Sequence, residues 1–318
     1  MEPLLDLFGN PIGAREAIHV NVYADEIWET KHGTTGESWI YTAALYERTD
    51  KPILDSIIST RYCTERDGWE EYKDKNDTDI HWADLGKNKD KKFIVERWLK
   101  LIHDDCFSDR RFYFSLSGIN LTNLNFDEFD EKQKLNSIYN RFFRAMLKYS
   151  LKKFFGRGVI VENIYHEQGT QQEHPYFDWH TIFKLDQDEH LNFICDQVDF
   201  LPKSHRDDTR SNALELCDVL IGIYKDAHCG FPEGLKNEHR REILGSKIVQ
   251  ELLIKRVLRK PRNISSSYGY AKRFHLSFFP KAKTTPESIM RLANSYYDNS
   301  HLSLAYENNP HQGTLFKL

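Results

Sequence analysis

Residues Ala17–Glu26 read AIHVNVYADE, and this stretch decides the fold class. Ile18, Val20 and Val22 alternate with His19, Asn21 and Tyr23, the period-two pattern that sends alternate side chains to the two faces of a sheet. The strand ends on two acids, Asp25 and Glu26. A carboxylate where a buried strand surfaces is costly unless it is paired or bound to a cation. The plainer reading is that Asp25 opens a turn and Glu26 is solvated; a second acidic cluster far downstream favours a task for both.

Working outward, KHGTTGE is a loop and Ser38–Tyr46 (SWIYTAALY) a second strand, which together predict an antiparallel hairpin. Lys51–Arg61 spaces Ile53, Ile57 and Ile58 as a short helix. Residues 66–92 are polar and read mostly as loop, with IHWADL as a short strand or a helix start. Lys92–Cys106 is amphipathic, and Arg111–Leu121 alternates as a strand. Asp127–Phe155 is the longest helical pattern, stopped by Gly156 and Gly158. Val159–Tyr165 is again a strand that runs into acid, here His166 and Glu167. Leu191–Leu201 predicts a strand, and Asn212–His228 a helix on which Glu215 and Asp218, three apart, are surface neighbours. Asp218 lies between apolar residues, where an acid is unexpected without a role. Strands and helices in this order describe an α/β sheet with mixed pairing, at one edge of which separated acids can meet.

The chain has 318 residues, enough for one large domain or a domain with an extension. Its formal charge of −4 predicts no global attraction to nucleic acid, though a local basic patch can supply one. Five scattered cysteines without a CxxC pair argue against a disulfide framework or zinc ribbon and suit a reducing cytoplasm. MEPLLDLFGNPIG lacks a basic n-region, so no signal peptide is expected, and no apolar run predicts a membrane span. Phosphate-binding glycine loops and a Gly-x-Ser-x-Gly elbow are absent from the sequence. His166, Glu167, His174, Asp178 and His180 fit no standard zinc spacing; His166 or His180 is instead a candidate proton carrier.

If Asp25, Glu167 and Asp218 converge, with Glu26 and Glu215 close by, they cannot all stay ionised without a counter-charge. Hard cations with oxygen ligands, one or two Mg²⁺ or Mn²⁺ ions, are the natural partners, and in-line phosphodiester hydrolysis is the chemistry such sites perform.

Asp199–Gly222, DFLPKSHRDDTRSNALELCDVLIG, resembles the closing motif of the domain-of-unknown-function 3800 family, a strand and turn followed by a helix of the form Gln-Leu-Ala-Asp-Leu-Leu-Ala-Gly. VNVYADEIWE resembles the same family's early Asp-Glu motif, and His81 and His166-Glu167 sit where the family often has a His and an acid. Glu215 replaces the usual Gln and Cys217 the usual Ala, the departures of a divergent member. The resemblance covers about residues 18–230. It implies a ribonuclease-H-like mixed sheet flanked by helices and a metal-dependent nuclease in which Asp25, Glu26, Glu167, Glu215 and Asp218 are catalytic. Asp25, Glu167 and Asp218 would be the metal ligands. The expected organisation is a lead-in over 1–17, a core over 18–232 and a basic, helical C-terminal extension over 233–318.

That extension carries a local surplus of roughly ten positive charges between Leu235 and Lys283, the footprint of a phosphate backbone. Lys255, Arg256, Arg259, Lys260, Arg262, Lys272 and Arg273 are the candidate nucleic-acid contacts, with DNA and RNA both open. Gln312, Leu315 and Phe316 in the final HQGTLFKL resemble the anchors of a sliding-clamp docking peptide. The rival readings are a non-catalytic nucleic-acid-binding or interaction module with structural acids, and a phosphohydrolase acting on a small nucleotide.

Overall fold

A computed structural model describes residues 17–33, 35–62, 79–86, 88–124, 134–156, 158–168, 191–202, 208–230, 238–250 and 273–280. Strands β1 (Ile18–Lys31) and β2 (Ser38–Arg48) form the expected antiparallel hairpin, in which Asp25 faces Ala43. Helix α1 (Leu54–Arg61) follows. Its first amides, those of Ile53 and Leu54, donate to Glu47 Oε1 at 2.8 and 3.0 Å, so a carboxylate on β2 caps it. A single 3₁₀ turn, Trp82–Asp84, precedes α2 (Lys89–Phe107). Strand β3 (Tyr113–Asn120) pairs antiparallel with β2.

Helix α3 (Lys134–Phe155) stops at Gly156, whose φ of 80° continues no right-handed helix. Strand β4 (Val159–Glu167) then lies parallel to β1 on the side away from β2. The strand expected over 191–201 is two short ones, β5 (Leu191–Phe193) and β6 (Asp199–Leu201). They pair in parallel with the start and the end of β4 respectively, and the polar Asp196–Gln197 stretch bridges them. Helix α4 (Ser211–Cys229), α5 (Glu238–Gly245) and β7 (Phe274–Phe279) complete the described elements.

The result is a mixed α/β sheet ordered β5-β4-β1-β2-β3-β7, with β6 beside β4. Alternation decides what each face buries. Val20, Val22 and Ala24 pack with Tyr139, Phe143, Met146 and Leu147 of α3. Tyr23, Tyr41, Ala43 and Leu45 pack on the other face with Leu216, Cys217, Leu220 and Tyr224 of α4. The central strand β2 is covered on both sides, which explains its nearly continuous apolar run.

The sheet does not close at residue 232. Strand β7 adds to it beside β3, in parallel, and Phe274, Leu276 and Phe278 enter the α4-side core, so the C-terminal region contributes to the core instead of forming only an appended helical extension. Among the described residues, no helix is long and apolar enough to cross a membrane.

Candidate functional site

Strands β1 and β4 run parallel, with Ala24 opposite His166, so their acidic ends lie side by side. Asp25 follows Tyr23 by two residues and Glu167 follows Tyr165 by two. The rings of Tyr23 and Tyr165 stack at 5.3 Å on the α4 face, which places Asp25 and Glu167 on that face as well. Asp25 is buried, and its Oδ1 accepts the Glu26 N–H at 2.8 Å.

Helix α4 crosses this face and supplies the other acids. His81, Glu167, Ser211, Glu215 and Asp218 line one shallow recess together with Pro202 and Leu214. Asp218 Oδ2 accepts the Trp82 main-chain N–H at 2.6 Å and lies 3.8 Å from His81 Nδ1. Asp25 enters the same neighbourhood through Cys217, whose buried thiol rests against the main chain of Asp25 and Leu45. Burial pushes that thiol well up, and the negative charges of Asp25 and Asp218 add to the effect.

Two expected members do other work. Glu215 forms an ion pair with Arg61, both side chains buried, and Asn212 Oδ1 accepts a second Arg61 hydrogen bond at 2.9 Å. Its carboxylate therefore neutralises a buried guanidinium, as it must if both are to leave water. The Glu26 side chain does not share the face of Asp25. Consecutive strand residues point to opposite faces, and Glu26 Oε2 lies 3.1 Å from His166 Nε2 on the α3 side.

His166 is fully buried there, with the Tyr139 hydroxyl 2.7 Å from Nε2. Its Nδ1 faces the Glu167 carbonyl at 2.9 Å, which assigns that nitrogen a proton to donate. Burial raises the Tyr139 phenol well above its ordinary pKa, and the charges of Glu26 and Asp25 reinforce this, so Tyr139 is a neutral partner. His166 thus braces the end of β4 and has no place on the recess.

Among the described residues, no group of three or more His, Cys, Asp or Glu side chains is disposed to hold a metal ion. Asp25 and Glu167 lie on one face at one end of the sheet, and Asp218, on α4, lies over that face. All are carboxylates, the donor type hard divalent cations take.

Arg273, expected on a nucleic-acid surface, is buried. It donates to the Cys106 carbonyl at 2.9 Å and lies 3.8 Å from Asp105, because its neighbour Phe274 starts β7 in the core. Lys255, Arg256, Arg259, Lys260, Arg262 and Lys272 lie outside the described residues, as do His174, Asp178 and His180 and the Gln312, Leu315 and Phe316 peptide.

Arg61 and Trp82 are site neighbours that the sequence reading did not single out. Trp82 has a local signal: Asp218, Gly222 and Asp226 recur every four residues on α4, and all three meet it. Arg61 has none, since its partners are about 150 residues away. The chain matches no protein-family model and no curated protein sequence.

Proposed function

We propose that the chain is a Mg²⁺- or Mn²⁺-dependent nuclease, hydrolysing phosphodiester bonds of DNA or RNA on a ribonuclease-H-like core. One observation carries the reading: from segments distant in sequence, Asp25 and Glu167 lie on one face at one end of the sheet, and Asp218, on α4, lies over that face. The antiparallel β1–β2–β3 meander extended in parallel by β4 and β5 supports the same reading of the core.

Asp25, Glu167 and Asp218 would hold the metal, which when bound supplies Lewis acidity and a water activated at neutral pH. The chain's own residues do the rest. Trp82 fixes Asp218 through its main-chain N–H, and His81 presents an imidazole beside that carboxylate, on the recess, where a proton can be taken up or delivered. Arg61 holds Glu215 out of the donor set. Glu26, His166 and Tyr139 fix the end of β4 that carries Glu167.

A second reading, a non-catalytic nucleic-acid-binding or interaction module, is favoured by the engagement of Glu215 with Arg61 and of Asp218 with Trp82, which gives both acids structural work.

The deciding experiment incubates the full chain with labelled single- and double-stranded DNA and RNA in Mg²⁺, Mn²⁺ or EDTA, alongside Asp25→Asn and Glu167→Gln. Metal-dependent cleavage that both variants lose by about 100-fold or more supports the nuclease. If no substrate is cut and Mn²⁺ leaves the thermal midpoint unchanged, the second reading replaces it.

A further inference from the structure

Asp226 lies on α4 two turns beyond Asp218 and is not among the residues that line the recess. Its carboxylate is nonetheless fully buried, a costly placement for a charge unless cations and donors surround it. They do. The Trp82 indole N–H donates to Oδ2 at 2.7 Å, Lys225 Nζ pairs with Oδ1, and Arg240 Nε of α5 lies 3.8 Å from Oδ2. The two cations balance the charge, and the neutral indole is oriented by it. A neutral acceptor would satisfy an indole N–H; a carboxylate makes a bond roughly twice as strong.

Trp82 carries that fixation to the recess. Its main-chain N–H holds Asp218 Oδ2 at 2.6 Å, and its side chain is buried in the α4-side core. The start of the ring rests on Gly222, where a Cβ would stand 2.2 Å from Cγ and Cδ1. His81, the residue before it, presents its imidazole 3.8 Å from the same Asp218 carboxylate, and its carbonyl accepts the Asp84 N–H at 3.0 Å. The tryptophan is thus gripped at its main-chain end by the acid on the recess and at its far end by the acid outside it. A buried ring in a close-packed core has little room to pivot, so a displaced indole displaces the amide as well.

We infer that Asp226 is a positioning residue for the recess: by fixing the Trp82 indole it sets where the Trp82 amide holds Asp218 and where His81 stands. Through Arg240, α5 is part of the same support. The consequence for hydrolysis rests on the proposed function; the link from Asp226 to the Trp82 amide does not.

The test labels the full chain with ¹⁵N-tryptophan and records proton–nitrogen correlation spectra without metal. Trp82 gives a main-chain amide signal that reports on Asp218 and an indole signal that reports on Asp226, both assigned by their loss in Trp82→Phe. In Asp226→Asn both should move, the amide in the direction in which Asp218→Asn moves it. An effect that stops at the indole signal overturns the inference. Should Asp226→Asn fail to fold by circular dichroism, Asp226→Glu keeps a charge for Lys225 and Arg240 and displaces the acceptor by one methylene. It too should move both signals, and an unmoved amide there is equally fatal.

Mn²⁺ affinity and turnover read the consequence. Removing a group that orients a metal-binding side chain costs about 10–100-fold in affinity or activity. Asp226→Asn should therefore weaken Mn²⁺ binding and lower kcat by about that factor, with KM for the oligonucleotide unchanged. In the Trp82→Phe background the same substitution should add nothing further. A rise in KM alone, or a full loss repeated in the Trp82→Phe background, would mean that Asp226 acts by another route and overturns the inference. A wild type that neither binds Mn²⁺ nor cleaves removes the nuclease reading, and the Trp82 amide signal then decides this inference by itself.

Discussion

The Asp218 carboxylate accepts the main-chain N–H of Trp82 at 2.6 Å, and the rest of that tryptophan is held by the same helix stripe. One turn on, Gly222 leaves room for the indole; two turns on, Asp226 accepts the indole N–H at 2.7 Å. An acid between apolar neighbours on α4 thus has a definite role even before any metal is considered: it fixes the turn that brings His81 to the recess.

Removing that acceptor should be felt in stability. Trp82 is 2% exposed, so Asp218→Ala leaves its amide without the carboxylate, a loss of about 1–3 kcal/mol. Asp218→Asn keeps an acceptor oxygen and should retain most of the stability. Urea unfolding of both variants reads the difference, and equal destabilisation would show that the hydrogen bond is not what Asp218 contributes. The same pair tests the site: a stable Asp218→Asn without metal-dependent cleavage separates the carboxylate's charge from its structural role.

Gly222 admits nothing larger. A Cβ there would stand 2.2 Å from Trp82 Cγ and Cδ1 and 2.6 Å from its Cβ, atoms too near the backbone to swing aside. Gly222→Ala should therefore cost about 1–3 kcal/mol by overpacking, with a changed near-ultraviolet tryptophan signal. In a double-mutant cycle, Trp82→Ala, which removes Cγ and Cδ1 and keeps Cβ, should relieve part of the cost, giving a coupling of about 0.5–3 kcal/mol. Additive effects would place the strain elsewhere.

The sequence reading reached most elements and only part of the site, and the division has physical causes. Strand and helix identities are local: alternation in β1 and three-four spacing in α3 and α4 are written in neighbouring residues. The opposed faces of Asp25 and Glu26 follow from that same alternation, which the pairing of the two as one acidic cluster overlooked. The Arg61–Glu215 pair and the addition of β7 beside β3 are contacts between segments more than 150 residues apart, and no local pattern encodes them. Arg273 shows the same limit. Charge counting places it on a surface, yet strand β7 carries it inward to Asp105 and the Cys106 carbonyl.

The Arg61–Glu215 pair gives a third expectation. Arg61 is fully buried, and the Glu215 side chain is 6% exposed. Glu215→Gln removes a carboxylate from the buried Arg61 guanidinium, and breaking a buried pair costs about 3–5 kcal/mol, whereas Arg61→Met/Glu215→Leu removes both charges and should recover much of that loss. Chemical denaturation of the two variants decides it. A single variant as stable as the wild type would mean that solvent or another anion reaches Arg61.

Acid sensitivity should trace in part to His228. Its Nδ1 lies 2.8 Å from the Tyr41 hydroxyl, amid Trp39, Phe278 and His32. Burial first, and the neighbouring His32 charge after it, lower its pKa to about 4 against the opposing charge of Glu37. In the unfolded chain the imidazole titrates near its ordinary value of about 6.5. Between these two values the unfolded chain binds a proton that the folded chain does not. The stability associated with His228 is therefore complete above about pH 6.5 and declines as pH falls toward 4, by at most about 1.4 kcal/mol per pH unit. Urea midpoints measured from pH 7.5 to 4.5 should fall less steeply in His228→Gln than in the wild type, with the difference opening below pH 6.5. Glu37, whose carboxyl is held below its ordinary range, contributes its own loss only at lower pH, so it does not mimic this step. Parallel profiles for the two proteins would show that His228 titrates in the folded state as it does in the unfolded one.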